Sequence, residues 1–95
     1  MANREHVEAL RQGAKAWNEY REKQGFDFPN YPDFRNADLQ RLDLTGANLS
    51  GANLMYTDLS LANLTDVNLT EANLQNTDLE GAVAPQLEEE REGND

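Results

Sequence analysis

The side chains able to do acid–base or nucleophilic chemistry are few in this 95-residue chain: one histidine, His6, no cysteine, and 18 carboxylates. A hydrolytic or group-transfer site needs a nucleophile beside a base. His6 lies in the charged first turn of a helical stretch and has no thiol to activate, so no such pair can be nominated. One histidine without thiolates also cannot make a zinc site. The six glycines never cluster, which leaves no phosphate loop and no dinucleotide fingerprint. The chain therefore reads as not an enzyme, with no cofactor.

The remaining chemistry is ordered differently. Asp33, Asp38, Asp43, Asn48, Asn53, Asp58, Asn63, Asn68, Asn73 and Asp78 recur every five residues. After each comes an apolar residue: Phe34, Leu39, Leu44, Leu49, Leu54, Leu59, Leu64, Leu69, Leu74 and Leu79. Before each stands a mostly small one: Ala37, Ala47, Ala52, Ala62 and Ala72, with Pro32, Leu42, Thr57, Val67 and Thr77 as departures, and Ala82 continuing the series. A period of five matches neither the 3.6 of a helix nor the 2.0 of a strand, and a long element of either kind would scatter the leucines over every face. The chain must turn once per unit. Leucine and small residue then point inward as the structural core, while Asp and Asn bond to backbone beside the corner. Gly46, Gly51 and Gly81 close their units.

This A-(D/N)-L-x-x pattern resembles the pentapeptide-repeat family, in ten consecutive units from Pro32 to Gly81. The resemblance implies an all-β solenoid: a right-handed quadrilateral (four-sided) parallel β-helix with four units per coil, about two and a half coils, behind an N-terminal α-helical cap. At the spacing of neighbouring strands, about 4.8 Å, the body would be roughly 12 Å tall. Written in twenties, TDLSL at 57–61 lies over TDLEG at 77–81. Asp38, Asp58 and Asp78 then stack on one side, and three carboxylates about 5 Å apart are weak candidates for a metal cation. The competing reading, that each bonds its own corner, is favoured because asparagine fills equivalent positions.

The domain reading has three parts. Residues 1–31 are a helix and aromatic linker capping the first coil, 32–82 the repeat body, and 83–95 an acidic tail. The helix runs from Asn3, its N-cap, to about Lys23, with Gly25 as its stop. Val7, Leu10, Ala14 and Trp17 form the stripe of this N-terminal cap, which covers strand edges that would otherwise be unpaired. The segment GAKAWNEYR at Gly13–Arg21 resembles a helix that precedes the repeats in many bacterial, including cyanobacterial, members. Phe26, Phe28, Tyr31 and Phe34 form a plug between cap and coil. The pattern decays where Val83 takes the Asp/Asn place and Pro85 breaks it. The last coil is expected either to form a homodimer with a second copy or to be covered by Pro85–Arg91.

Net charge is −10, with +1 on residues 1–26, −7 on 27–81 and −4 on 82–95. Such a surface repels nucleic acid and suits a basic protein partner. Met55, Tyr56 and Leu61 are large apolar residues predicted to point outward, where they either dock the N-terminal cap or linker or serve as candidate partner contacts. No apolar run is long enough to cross a membrane, and a cytoplasmic setting is expected. The leading function is a non-catalytic structural or protein-interaction module presenting a rigid acidic surface. The family supplies an alternative, a DNA mimic that binds DNA gyrase (type II topoisomerase) and alters quinolone sensitivity. Roughly 12 Å of body spans less than four base-pair steps of ~3.4 Å, which counts against it. A third expectation is a fragment of a longer β-helix.

Overall fold

Asn3 starts the lid by accepting, through its side-chain oxygen, the backbone N–H groups of Glu5 and His6 at 2.9 and 3.3 Å. Two donors left open by the first helical turn are thereby satisfied. The computed structural model describes residues 1–25 and 30–83. The single helix expected from Asn3 to about Lys23 is two: α1, Arg4–Arg11, and α2, Ala14–Gln24. They are divided at Gly13, whose φ of 112° only glycine adopts readily. The break is what directs Leu10 of α1 and Trp17 of α2 into the same core. Gly25 ends α2 in the left-handed region, φ 62°, its N–H bonded to the Arg21 carbonyl.

From Asp33 onward the chain forms parallel bridges to the residue twenty positions later: Asp33 to Asn53, Asp38 to Asp58, Asp43 to Asn63, Asn48 to Asn68, and so on to Asn63 with Val83. Four five-residue units therefore make one turn of the coil. Among the described residues no side is long enough to count as a strand, and each contributes a single bridged residue. The cause is the corner that follows each side. Every fifth residue from Asn36 to Gly81 has positive φ, including Arg41, Tyr56, Leu61 and Glu71, which are neither glycine nor Asn/Asp. Left-handed backbone costs such residues about 1–2 kcal/mol each.

Coil-to-coil bonding offsets that cost. From Phe34 to Leu64 the N–H at the leucine position donates to the next coil, as from Leu54 to the Asn73 carbonyl at 2.9 Å. From Asn53 onward the Asp/Asn N–H donates to the previous coil, as from Asp58 to the Ala37 carbonyl at 3.0 Å. The corner N–H donates forward as well, as from Leu61 to Glu80. Backbone groups that a buried chain must satisfy are thus paired between coils.

Inside, Phe34, Leu39, Leu44, Leu49, Leu54, Leu59 and Leu64 are fully buried, together with Ala47, Ala52 and Ala62. Leu69, Leu74 and Leu79 are only partly buried. Two departures from alanine have a physical reason: the hydroxyls of Thr57 and Thr77 donate to the carbonyls of Phe34 and Leu54, at 2.6 and 2.7 Å. Phe26, Phe28, Pro29 and the tail beyond Val83 lie outside the described residues, as do the expectations placed on them.

Candidate functional site

The first coil has no coil before it, so the Asp/Asn positions that elsewhere bond backward need other partners. The lid supplies them with side chains. The Asp33 N–H donates to His6 Nδ1 at 3.0 Å, and the Asp33 carbonyl accepts the Asn3 N–H at 2.9 Å. Arg11 donates to the Asp38 carbonyl. On the next-but-one side the Asn48 N–H donates to Asn18 Oδ1 at 2.8 Å, and the Asn48 carbonyl accepts both Trp17 Nε1 at 2.7 Å and Arg21 Nη1 at 3.2 Å. Arg21 Nη2 also donates to the Ser50 hydroxyl. Imidazole, indole, amide and guanidinium here occupy the places that backbone occupies between later coils.

Apolar contact accompanies these bonds. Leu10, Trp17 and Phe34 are fully buried, Val7 and Ala14 partly so. The His6 ring meets Trp17, Tyr20 and Phe34 at centroid distances of 6.3 Å in edge-on geometry, and Trp17 meets Phe34 at 5.4 Å. Burial lowers the pKa of His6 against the pull of Asp33 and Glu5. Burial also lowers that of Arg21 and raises that of Tyr20, whose hydroxyl donates to Glu5 Oε1. For Asp33, burial acts upward but is outweighed by Arg35, which donates to both its carboxylate oxygens and holds it below the usual range. Asp33–Arg35 is the one ion pair among the described residues.

Asp38, Asp58 and Asp78 stand in successive coils, as the twenty-residue register requires. They are turned to their own corners rather than to one another's ligand. All ten Asp and Asn side chains of the series accept the N–H two residues on, including Gln40, Ser60 and Glu80 from these three. Among the described residues, no three acidic or histidine side chains come together as a cation site. Hydroxyls reinforce the corners: Thr45 and Ser60 donate to Asp43 and Asp58 at 2.6 Å and pull both carboxyl pKa values down.

Of the outward apolar residues, Tyr56 is 58% exposed, Leu61 50%, and Met55 half-buried. Leu61 lies over Gly81 of the next coil, where an added Cβ would come within 2.6 Å of its Cδ2. Tyr56 shares its corner with Asn36 and Asn76 in the coils on either side, all three with positive φ. Tyr31 lies in the same way over Gly51.

Sequence reasoning missed His6, Asn18 and Arg21 as the groups that close the first coil. Nothing in their spacing distinguishes them from the solvent face of a helix. No described helix is long and apolar enough to cross a membrane. The family model for pentapeptide repeats matches residues 33–70 and 62–84, with 8 copies of the repeat. No curated protein matches the chain.

Proposed function

The chain belongs to the pentapeptide-repeat family, and from that premise we propose that it is a non-catalytic structural or protein-interaction module. Members of the family are generally non-catalytic structural repeat proteins, and the family fold is a right-handed four-sided β-helix. In this reading residues 1–31 are the lid and linker, 32–82 a body of about two and a half coils, and 83–95 the tail. The partial burial of Leu69, Leu74 and Leu79 suits an end of the column that is covered either by a second copy or by Pro85–Arg91. The net charge of −10 favours a basic protein partner over nucleic acid, in a cytoplasmic setting.

One observation carries the interaction reading. Tyr56 holds a large aromatic ring in solvent on left-handed backbone, at a corner where the coils before and after it carry asparagine. Asparagine tolerates that backbone better than tyrosine, so the fold alone favours asparagine there. Tyr56→Asn is expected to leave the unfolding free energy unchanged or to raise it by up to about 1 kcal/mol. The same variant is expected to lose a partner that the wild-type chain retains in cross-linking from its host extract. A loss of more than about 1 kcal/mol in urea unfolding, or identical cross-linked species from both chains, would contradict the reading.

A further inference from the structure

Among the described residues, His6 is the one buried ionisable side chain, at 8% exposure, and it sits in the seam between lid and first coil. Its Nδ1 is an acceptor, taking the backbone N–H of Asp33 at 3.0 Å. A neutral imidazole can accept at one ring nitrogen, whereas an imidazolium has N–H on both and can only donate. Protonation would therefore set N–H against N–H at this contact and place a charge among the rings of Trp17, Tyr20 and Phe34. We propose that His6 is an acid-released latch: neutral, it fastens the lid to the first coil; protonated, it lets the lid go while the later coils stay wound.

Among the described residues, the charged groups around the ring are Glu5 on α1 and Asp33 on the coil, both of which favour the imidazolium. Each is already engaged. Glu5 accepts from the Tyr20 hydroxyl of α2, and Asp33 is paired with Arg35 and lies near the N-terminal ammonium group. Burial is the stronger influence, and His6 is held below its ordinary value of 6.5. The folded chain then binds this proton less readily than the unfolded one. The latch's contribution is complete above about pH 6.5 and lost as pH falls below it. Asp33, Asp43 and Asp58, all lowered, lose their contributions only as pH falls through and below the ordinary carboxylate value of 3.8. The latch begins to lose its contribution at a higher pH than these carboxylates do.

Amide hydrogen exchange on the full chain, expressed as protection factors, between about pH 7 and pH 5 reads both ends of the molecule at once. Protection of the Asp33 and Asn48 amides, which depend on the lid, is expected to fall. Protection of the Asp58 and Asn63 amides, which bond between coils, is expected to hold. His6→Asn keeps an acceptor oxygen near the Nδ1 position but cannot be protonated, and it should make all four profiles flat. Simultaneous loss at all four amides, or the same loss of lid protection in His6→Asn, would overturn the proposal. Should that variant not fold, the imidazole nitrogen shifts of the wild type decide. Titration below the free value, in step with lid release, supports the latch; titration at or above that value overturns it.

Discussion

Trp17→Ala is expected to lower the unfolding free energy by about 3–5 kcal/mol, the range for deleting a fully buried large aromatic. Trp17 is the largest fully buried side chain of the described residues, with Phe34, His6 and Tyr20 against its ring. Its loss would open a cavity under α2 and remove the indole donor from the Asn48 carbonyl. Small domains have only about 5–15 kcal/mol in total, so the lid of this variant should dock marginally at best. Trp17→Phe separates the two parts. It keeps most of the ring and loses the indole bond, while Arg21 still donates to Asn48 at 3.2 Å; about 1 kcal/mol is expected. Urea unfolding of both variants measures the pair. Equal effects from Phe and Ala would mean that packing by the lid is not what closes the first coil.

Leu54→Ala is the second large effect, at about 2–5 kcal/mol. Leu54 is fully buried in the middle of the column, and its unit is bonded on three sides. Its N–H donates to Asn73, and its carbonyl accepts both the Thr57 N–H and the Thr77 hydroxyl. A coil held this closely cannot collapse into the space left behind, which places the cost toward the upper end. Leu79→Ala is the control. Leu79 is only partly buried, so its truncation should cost about 1 kcal/mol. The ratio of the two, from midpoint shifts in denaturant, reports the gradient of burial along the column. Equal losses would contradict it.

The repeat body is legible in sequence because one residue type at one spacing has one job. Leucine every five residues cannot be served by helix or strand, and Asp or Asn before it bonds the corner, as all ten do. Two features were not legible. The corners at Arg41, Tyr56, Leu61 and Glu71 take left-handed backbone without glycine; glycine marks only three of the ten and Asn or Asp three more, while the corner N–H groups of Arg41, Tyr56 and Leu61 are held by bonds to the next coil. The lid was read from its apolar stripe, which placed Leu10 and Trp17 but not the break at Gly13. His6, Asn18 and Arg21 each bond a particular backbone group roughly thirty residues away, and such pairings leave no period. The proposed partner surface rests on Tyr56 and its neighbours, where sequence identified large residues among small ones but not the backbone cost of placing them there.

The central claim is that four units make one coil and that each coil bonds the next at a separation of twenty residues. Scalar couplings across hydrogen bonds, between an amide nitrogen and the carbonyl carbon it bonds to, test this directly in solution. The account predicts couplings from the Leu54 nitrogen to the Asn73 carbonyl, from Leu59 to Asp78, and from the Asp58 nitrogen back to Ala37. Couplings that link leucine nitrogens to carbonyls three or five units away, with none at four, would contradict it.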